Sequence, residues 1–146
     1  MQCRPKKSAG FTLVELLVAM VIASILAAIA IPAYSNYVRK SRRTDAKSAL
    51  LDMASLEERY FSTSNTYSVL TTDLGYSGTW PITVGSGYYT IAAPAVIPAT
   101  TTAPSTYTLV ATAIGDQTKD AQCQTFTLTS TGVQSATPDP TSTCWR

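Results

Sequence analysis

Phe11-Thr12-Leu13-Val14-Glu15-Leu16-Leu17-Val18 opens a run of 21 residues, ending at Ile31, in which Glu15 is the only ionisable side chain. A run this long and apolar is a candidate to cross a bilayer as a helix. A carboxylate at the centre of such a helix costs about 2.5 kcal/mol or more, so it marks a functional site that needs a partner. Directly before the run lies a short basic leader with Arg4, Lys6 and Lys7, closing on Ser8-Ala9-Gly10. Cleavage after Gly10 would give Phe11 a positive α-amino group close to the depth of Glu15. That amine is the candidate partner.

The competing reading is a secretory signal peptide, which has an apolar core of about 7–15 residues and a small-residue cleavage site after it. Here the run is longer, and Ile31-Pro32-Ala33 continues into tyrosines and arginines. The small pair Ala9-Gly10 precedes the run, so cleavage there leaves the apolar segment in the mature chain.

Outward from this segment, residues 32–146 supply roughly 115 residues, enough for one small domain with a modest core. The net charge of +2 is unevenly spread. Arg39, Lys40, Arg42, Arg43 and Lys47 crowd just past the apolar run. From Tyr60 onward only Lys119 and Arg146 oppose Asp73, Asp116, Asp120 and Asp139.

Helical periodicity predicts one long helix from Thr12 to about Ser62. Its first half is apolar all round. In its second half Ala46, Ala49, Leu50, Met53, Leu56 and Tyr60 form a stripe that should pack on a sheet, with Arg43, Lys47, Asp52 and Glu58 largely off it. Glu57 and Glu58 are expected on an exposed face. Pro32 removes one backbone hydrogen bond, and either a simple kink or a point of local unwinding is expected there.

Beyond the helix the texture becomes β-rich. Trp80–Val84 and Tyr88–Ala92 flank Gly85-Ser86-Gly87, a hairpin signal. Thr106–Ala113 and Gln124–Thr129 alternate apolar residues with threonine, as strands with one buried face do. Thr131-Gly132 turns the chain into Val133-Gln134. Residues 94–105 read as a solvated Pro/Thr-rich loop, with O-linked sugar as the alternative. Pro138 to Thr143 is a similar stretch between the last two cysteines. The fold class is α+β: a long N-terminal helix packed on a C-terminal antiparallel sheet.

Histidine is absent, which removes the commonest general base and the commonest transition-metal ligand. No phosphate loop, metal-ligand cluster or triad is visible, so neither an enzyme nor a cofactor or metal site is expected. Asp116 and Asp120 lack the glycine-centred loop of a calcium site and read as solvated turn acids. Cys3 falls in the leader. Cys123 and Cys144 remain as an even pair, read as a disulfide in an exported segment, with two buried thiols as the alternative. Nucleic-acid binding would need accessible cations. The Arg39–Lys47 cluster is the only candidate, and its place beside the apolar run points instead to lipid headgroups or to acids on neighbouring subunits.

The stretch from Lys6 to Val18 closely resembles the type III signal of prepilins. The resemblance implies cleavage after Gly10 by a prepilin peptidase, methylation of Phe11, and an assembly role for Glu15 at the fifth mature position. Ala28-Ile29-Ala30-Ile31-Pro32-Ala33-Tyr34 is similar to the pilin pattern around its helix proline, although Ser24 stands where many relatives carry glycine. Glu57-Glu58-Arg59-Tyr60-Phe61, followed by Asn65-Thr66-Tyr67, looks like the helix end of minor pilins of the PilE/ComP kind. Cys123, Cys144 and Trp145 resemble their disulfide-bounded segment.

The implied organisation is a leader over 1–10, a membrane and filament-core helix over 11–33, and a periplasmic head over 34–146. The implied partners are other pilin subunits, the peptidase and an inner-membrane assembly platform. The chain would sit in the inner membrane before assembly and in an extracellular pilus afterwards, serving motility, adhesion or DNA uptake. Counting flanking cations would put the cysteine-bearing part inside the cell. The cysteine pair and the processing site put it outside, and they are given precedence. Two alternatives share the N-terminus: a pseudopilin of a type II secretion system and a DNA-binding competence pilin.

Overall fold

A computed structural model describes residues 10–138 and 143–146. The expected leader features at Cys3, Lys6, Lys7, Ser8 and Ala9, and most of the stretch between Pro138 and Thr143, lie outside the described residues. One helix, α1, runs Leu13–Ser64. The chain divides into two compact units between Tyr37 and Val38.

In the first unit, α1 is apolar on every face and none of its side chains is buried up to Tyr34. The helix continues through Ser24 and Pro32. Ser24 Oγ donates to the Val21 carbonyl, and Ser35 Oγ donates to the carbonyls of Ile31 and Pro32, each at 3.1 Å. Hydroxyl back-bonding of this kind lets small polar residues sit mid-helix with their hydrogen bonds satisfied.

In the second unit, the later part of α1 carries Arg43, Ala46, Leu50, Met53 and Glu57 as its buried face. These recur every three or four residues, the spacing of one helix face. Asn65, at φ 55°, ends the helix in the left-handed conformation, with its N–H donating to the Phe61 carbonyl at 2.8 Å.

Among the described residues six antiparallel strands follow: β1 (Ile82–Val84), β2 (Tyr89–Ile91), β3 (Ala95–Ile97), β4 (Thr106–Ala113), β5 (Cys123–Thr129) and β6 (Gln134–Pro138). The order is β1-β2-β4-β5-β6, with β3 pairing the other end of β4 from β2. Inward-facing Tyr89, Ile91, Tyr107, Leu109, Ala111, Phe126 and Leu128 form one core with Ala46, Leu50 and Met53. The opposite face is hydroxyl-rich. Thr83, Thr90, Thr112, Thr125 and Thr137 lie in register across five strands.

Four expectations are corrected. Residues 94–105 are not all loop, because Ala95–Ile97 adds a short strand to β4. Pro94 and Pro98 flank it, and a three-residue edge strand needs few ladder donors. Arg43 lies on the buried helix face and not off it. Glu57 is fully buried and not exposed. Asp120 is not a solvated turn acid: it is buried within the segment joining β4 to β5.

Gly85 is required twice over. Its φ is +58°, and an added Cβ would overlap the Asp45 side chain. That closeness lets Asp45 Oδ2 accept from the Ser86 N–H at 3.1 Å and from the Ser86 hydroxyl, fixing the β1–β2 turn onto α1. Cys123 and Cys144 are joined as a disulfide, with Cα atoms 5.7 Å apart. Closing a loop of this length stabilises the fold by about 3 kcal/mol in the chain-entropy picture. The bridge also brings in Trp145, whose ring meets Phe126 edge-on and whose Nε1 donates to the Ser135 carbonyl.

Candidate functional site

The N-terminal site is built by the first turn of α1. Gly10 is exposed, and Phe11 is 82% exposed. The Thr12 carbonyl accepts the first intrahelical bond, from Leu16 N–H, and Thr12 Oγ1 accepts from Glu15 N–H at 3.3 Å. Thr12 is therefore the N-cap and Glu15 occupies the third helical position. This is the Thr-x-x-Glu spacing of a capping box, in which the acid also benefits from the positive end of the helix dipole. The signal is local, Thr12 three residues before Glu15, although the charge of Glu15 is the more conspicuous feature of the sequence.

Around Glu15 lies a sleeve of Leu13, Val14, Leu16, Leu17, Val18, Met20 and Val21, all more than half exposed. A patch of this extent on a lone chain has to be covered by lipid or by other helices. The helix is long and apolar enough to cross a membrane by length and composition. Pro32, about five turns beyond Glu15, leaves it continuous.

In the head, the cations after the sleeve are largely committed within the chain. Arg43 grips Asp120 with two hydrogen bonds, Nε to Oδ2 at 2.7 Å and Nη2 to Oδ1 at 2.8 Å. Gln117 Nε2 and the N–H groups of Gln122 and Cys123 also donate to Asp120. Burial pushes the Asp120 carboxyl up, but these donors and the Arg43 charge outweigh it and hold it below the usual carboxylate range. Gln117 Nε2 also reaches Tyr89 Oη and the Arg39 carbonyl, tying sheet to helix. Burial pushes the Tyr89 phenol up to about 12. The Arg42 guanidinium lies 3.4 Å from the centre of the Tyr88 ring. Lys47 Nζ donates to the Arg146 carbonyl.

Residues 32–127 match the family described as "Type IV minor pilin ComP, DNA uptake sequence receptor", and residues 5–31 match the prokaryotic N-terminal methylation motif. The chain belongs to this family of type IV pilins. The pilin is 34% identical over 71 residues to the type IV major pilin protein PilA of Myxococcus xanthus, covering 49% of this chain and 32% of the relative. It is 59% identical over 39 residues to the prepilin peptidase-dependent protein D of Escherichia coli, covering 27% of each. It is also 42% identical over 60 residues to the type IV major fimbrial protein FimA of Dichelobacter nodosus, covering 34% and 38%. These alignments span about a third of the relatives' length.

A second buried acid lies at the far end of the pilin's helix. Glu57 Oε2 accepts from Ser68 N–H at 3.0 Å, while Oε1 has no hydrogen-bond partner among the described residues. Burial pushes the Glu57 carboxyl up, and Glu58 and Asp73 add to this against the Ser68 bond. A group whose folded-state pKa is raised supports the fold most below its unfolded value, about 4.3. That support is lost as pH rises through the folded value. Glu57→Gln is accordingly expected to stabilise the head at pH 7 by on the order of 1 kcal/mol, because the amide keeps the Ser68 bond and carries no charge for burial to penalise. The gain should disappear below pH ~4, where the wild-type carboxyl is protonated in both states. Urea unfolding of both proteins at the two pH values checks this, and a gain that persists in acid would contradict it.

Proposed function

We propose that this pilin is made as a precursor, cut between Gly10 and Phe11 and methylated on Phe11 by a prepilin peptidase, and assembled as a minor structural subunit of a type IV pilus. Before assembly, the helix over 11–33 holds it in the inner membrane with the head outside. An assembly platform then passes it into a filament whose core is a bundle of such helices. The observation that carries this reading is Glu15 at the start of a helix whose apolar side chains are exposed on every face. In a bundle the sleeve would be buried, and Glu15 would meet the Phe11 amine of a neighbouring subunit. A desolvated carboxylate needs such a partner, so the pair would set the register between subunits. The match over 32–127 to a minor-pilin family favours a pilus over a secretion pseudopilus.

The reading is tested by the intact mass of the chain recovered from a peptidase-bearing membrane. A species starting at Phe11 and carrying one added methyl is expected. A species starting elsewhere, or persistent precursor, overturns it.

Reception of DNA is the second reading, favoured by the description of the matching family. Any DNA surface would draw first on exposed Lys40, since Arg42 lies over Tyr88, Lys119 pairs with Asp116 and Arg43 is committed to Asp120. It predicts binding of the detergent-solubilised chain to duplex DNA that weakens steeply with salt. Absence of binding at low salt would remove this reading and leave the structural one standing.

A further inference from the structure

Two tyrosines, Tyr34 and Tyr37, end the apolar part of α1. They are 71% and 72% exposed, and neither hydroxyl has a hydrogen-bond partner among the described residues. Three residues apart, they lie on the same face of the helix. On their N-terminal side every residue from Leu16 to Ala33 is apolar or small apart from Ser24 and Pro32, while Ser35 and Asn36 lie between them and Arg39 and Lys40 follow in sequence. An apolar ring with a wet hydroxyl, between hydrocarbon-facing side chains and cations, suits the headgroup boundary of a bilayer.

We infer that Tyr34 and Tyr37 are interfacial anchors that fix the depth of the unassembled subunit in a lipid bilayer, and that they place Glu15 at the opposite hydrocarbon boundary. This rests on the membrane-spanning reading proposed above. Glu15 lies 19 residues before Tyr34, and at 1.5 Å per residue the separation along the helix is about 28 Å. At the common tilt of about 20°, the separation across the membrane is still about 27 Å. The hydrocarbon core is about 30 Å thick.

With Tyr34 at one boundary, Glu15 lies within a turn of the other, where its carboxylate reaches water and headgroups. The helix start agrees with this position. Glu15 sits over the first turn, where the N–H groups lack intrahelical acceptors and Thr12 Oγ1 supplies one. The bilayer therefore leaves the charge hydrated. Dehydration of Glu15 comes only when the helices bundle.

The test uses the full chain with Cys3→Ser, in which Cys123 and Cys144 remain bonded to each other. Single spin labels are placed through Val14→Cys, Ser24→Cys or Ala33→Cys, and the chains are reconstituted in vesicles of phosphatidylethanolamine and phosphatidylglycerol. Each label is compared for relaxation by dissolved oxygen, which concentrates in hydrocarbon, and by a water-soluble nickel chelate. The preference for oxygen should peak at position 24 and be several-fold lower at both 14 and 33.

A peak at 14 or at 33 overturns the placement. No oxygen preference at any position would show instead that the helix does not enter the bilayer, which sinks the underlying membrane reading. In the Tyr34→Ser/Tyr37→Ser background the label at 33 should shift toward oxygen by several-fold as the helix loses its stop. An unchanged profile would overturn the anchoring role and leave a neighbouring subunit as the partner of the two rings.

Discussion

Asp120→Ala is expected to lower the unfolding free energy of the head by about 3–5 kcal/mol, the loss typical when one member of a buried ion pair is removed. The substitution leaves the Arg43 guanidinium buried without the carboxylate that receives its Nε and Nη2. It also takes an acceptor from Gln117 Nε2 and from the N–H groups of Gln122 and Cys123. Domains of this size have about 5–15 kcal/mol in total, so the variant should be marginal or unfolded at growth temperature.

Arg43→Met/Asp120→Asn, which removes both charges while the amide oxygen at 120 still accepts from the Gln122 and Cys123 N–H groups, should recover part of the loss, since a buried pair is often no better than a neutral, satisfied replacement. Urea midpoints followed by tryptophan fluorescence distinguish the variants. A loss below about 1 kcal/mol in Asp120→Ala would place this ion pair with weak surface pairs. Acid provides a second check. The Asp120 carboxyl is held below its ordinary value, so its stabilisation is present above the unfolded pKa near 3.9 and is lost as pH falls through the folded value. Below pH ~4 the wild type should lose stability faster than the double variant.

Arg43 and Asp120 also mark where the sequence stopped being readable. The stripe of Ala46, Leu50 and Met53 was plain from its spacing, and the same spacing extended one turn each way reaches Arg43 and Glu57. Their charges argued for solvent, and what reverses that argument is a partner. For Arg43 the partner is 77 residues away, and no local pattern announces it. For Glu57 it is a backbone N–H in the loop after the helix. Strands with long alternation, such as Thr106–Ala113, were legible because inward and outward residues differ in type. The strand at Ala95–Ile97 is too short to show a period, and its neighbouring prolines resemble loop punctuation. The threonine row from Thr83 to Thr137 depends on register between strands distant in sequence, which periodicity within one strand does not contain. At the N-terminus the apolar run, the acid and the small pair Ala9-Gly10 before them are local features of the sequence. The Thr12 cap is local as well, carried by the Thr-x-x-Glu spacing.

The Thr-x-x-Glu spacing and the charge of Glu15 can be told apart by two substitutions at position 15. Glu15→Ala removes both the capping-box side chain and the charge, whereas Glu15→Gln keeps an acceptor at the third helical position and removes only the charge. Neither change touches Gly10, and both precursors are expected to be processed normally. Thr12 stays as the N-cap in both variants, so loss of the acceptor at the third helical position costs only about 0.3–1.5 kcal/mol. Loss of the charge costs more, because a neighbouring subunit's Phe11 amine would then be buried in the bundle without a counter-ion, at about 3–5 kcal/mol per contact. That second figure corresponds to more than 100-fold in incorporation at each contact, so Gln and Ala should fail almost equally. Immunoblots of sheared filaments against the membrane fraction should find mature chain for both variants almost wholly in the membrane. If Glu15→Gln enters filaments at the wild-type level while Glu15→Ala does not, the cap is what assembly needs and the charge pairing is wrong. Lys at position 15 gives the extreme case. It sets like charges against each other at the same contact, and should be excluded even when wild-type subunits are co-expressed to carry it in.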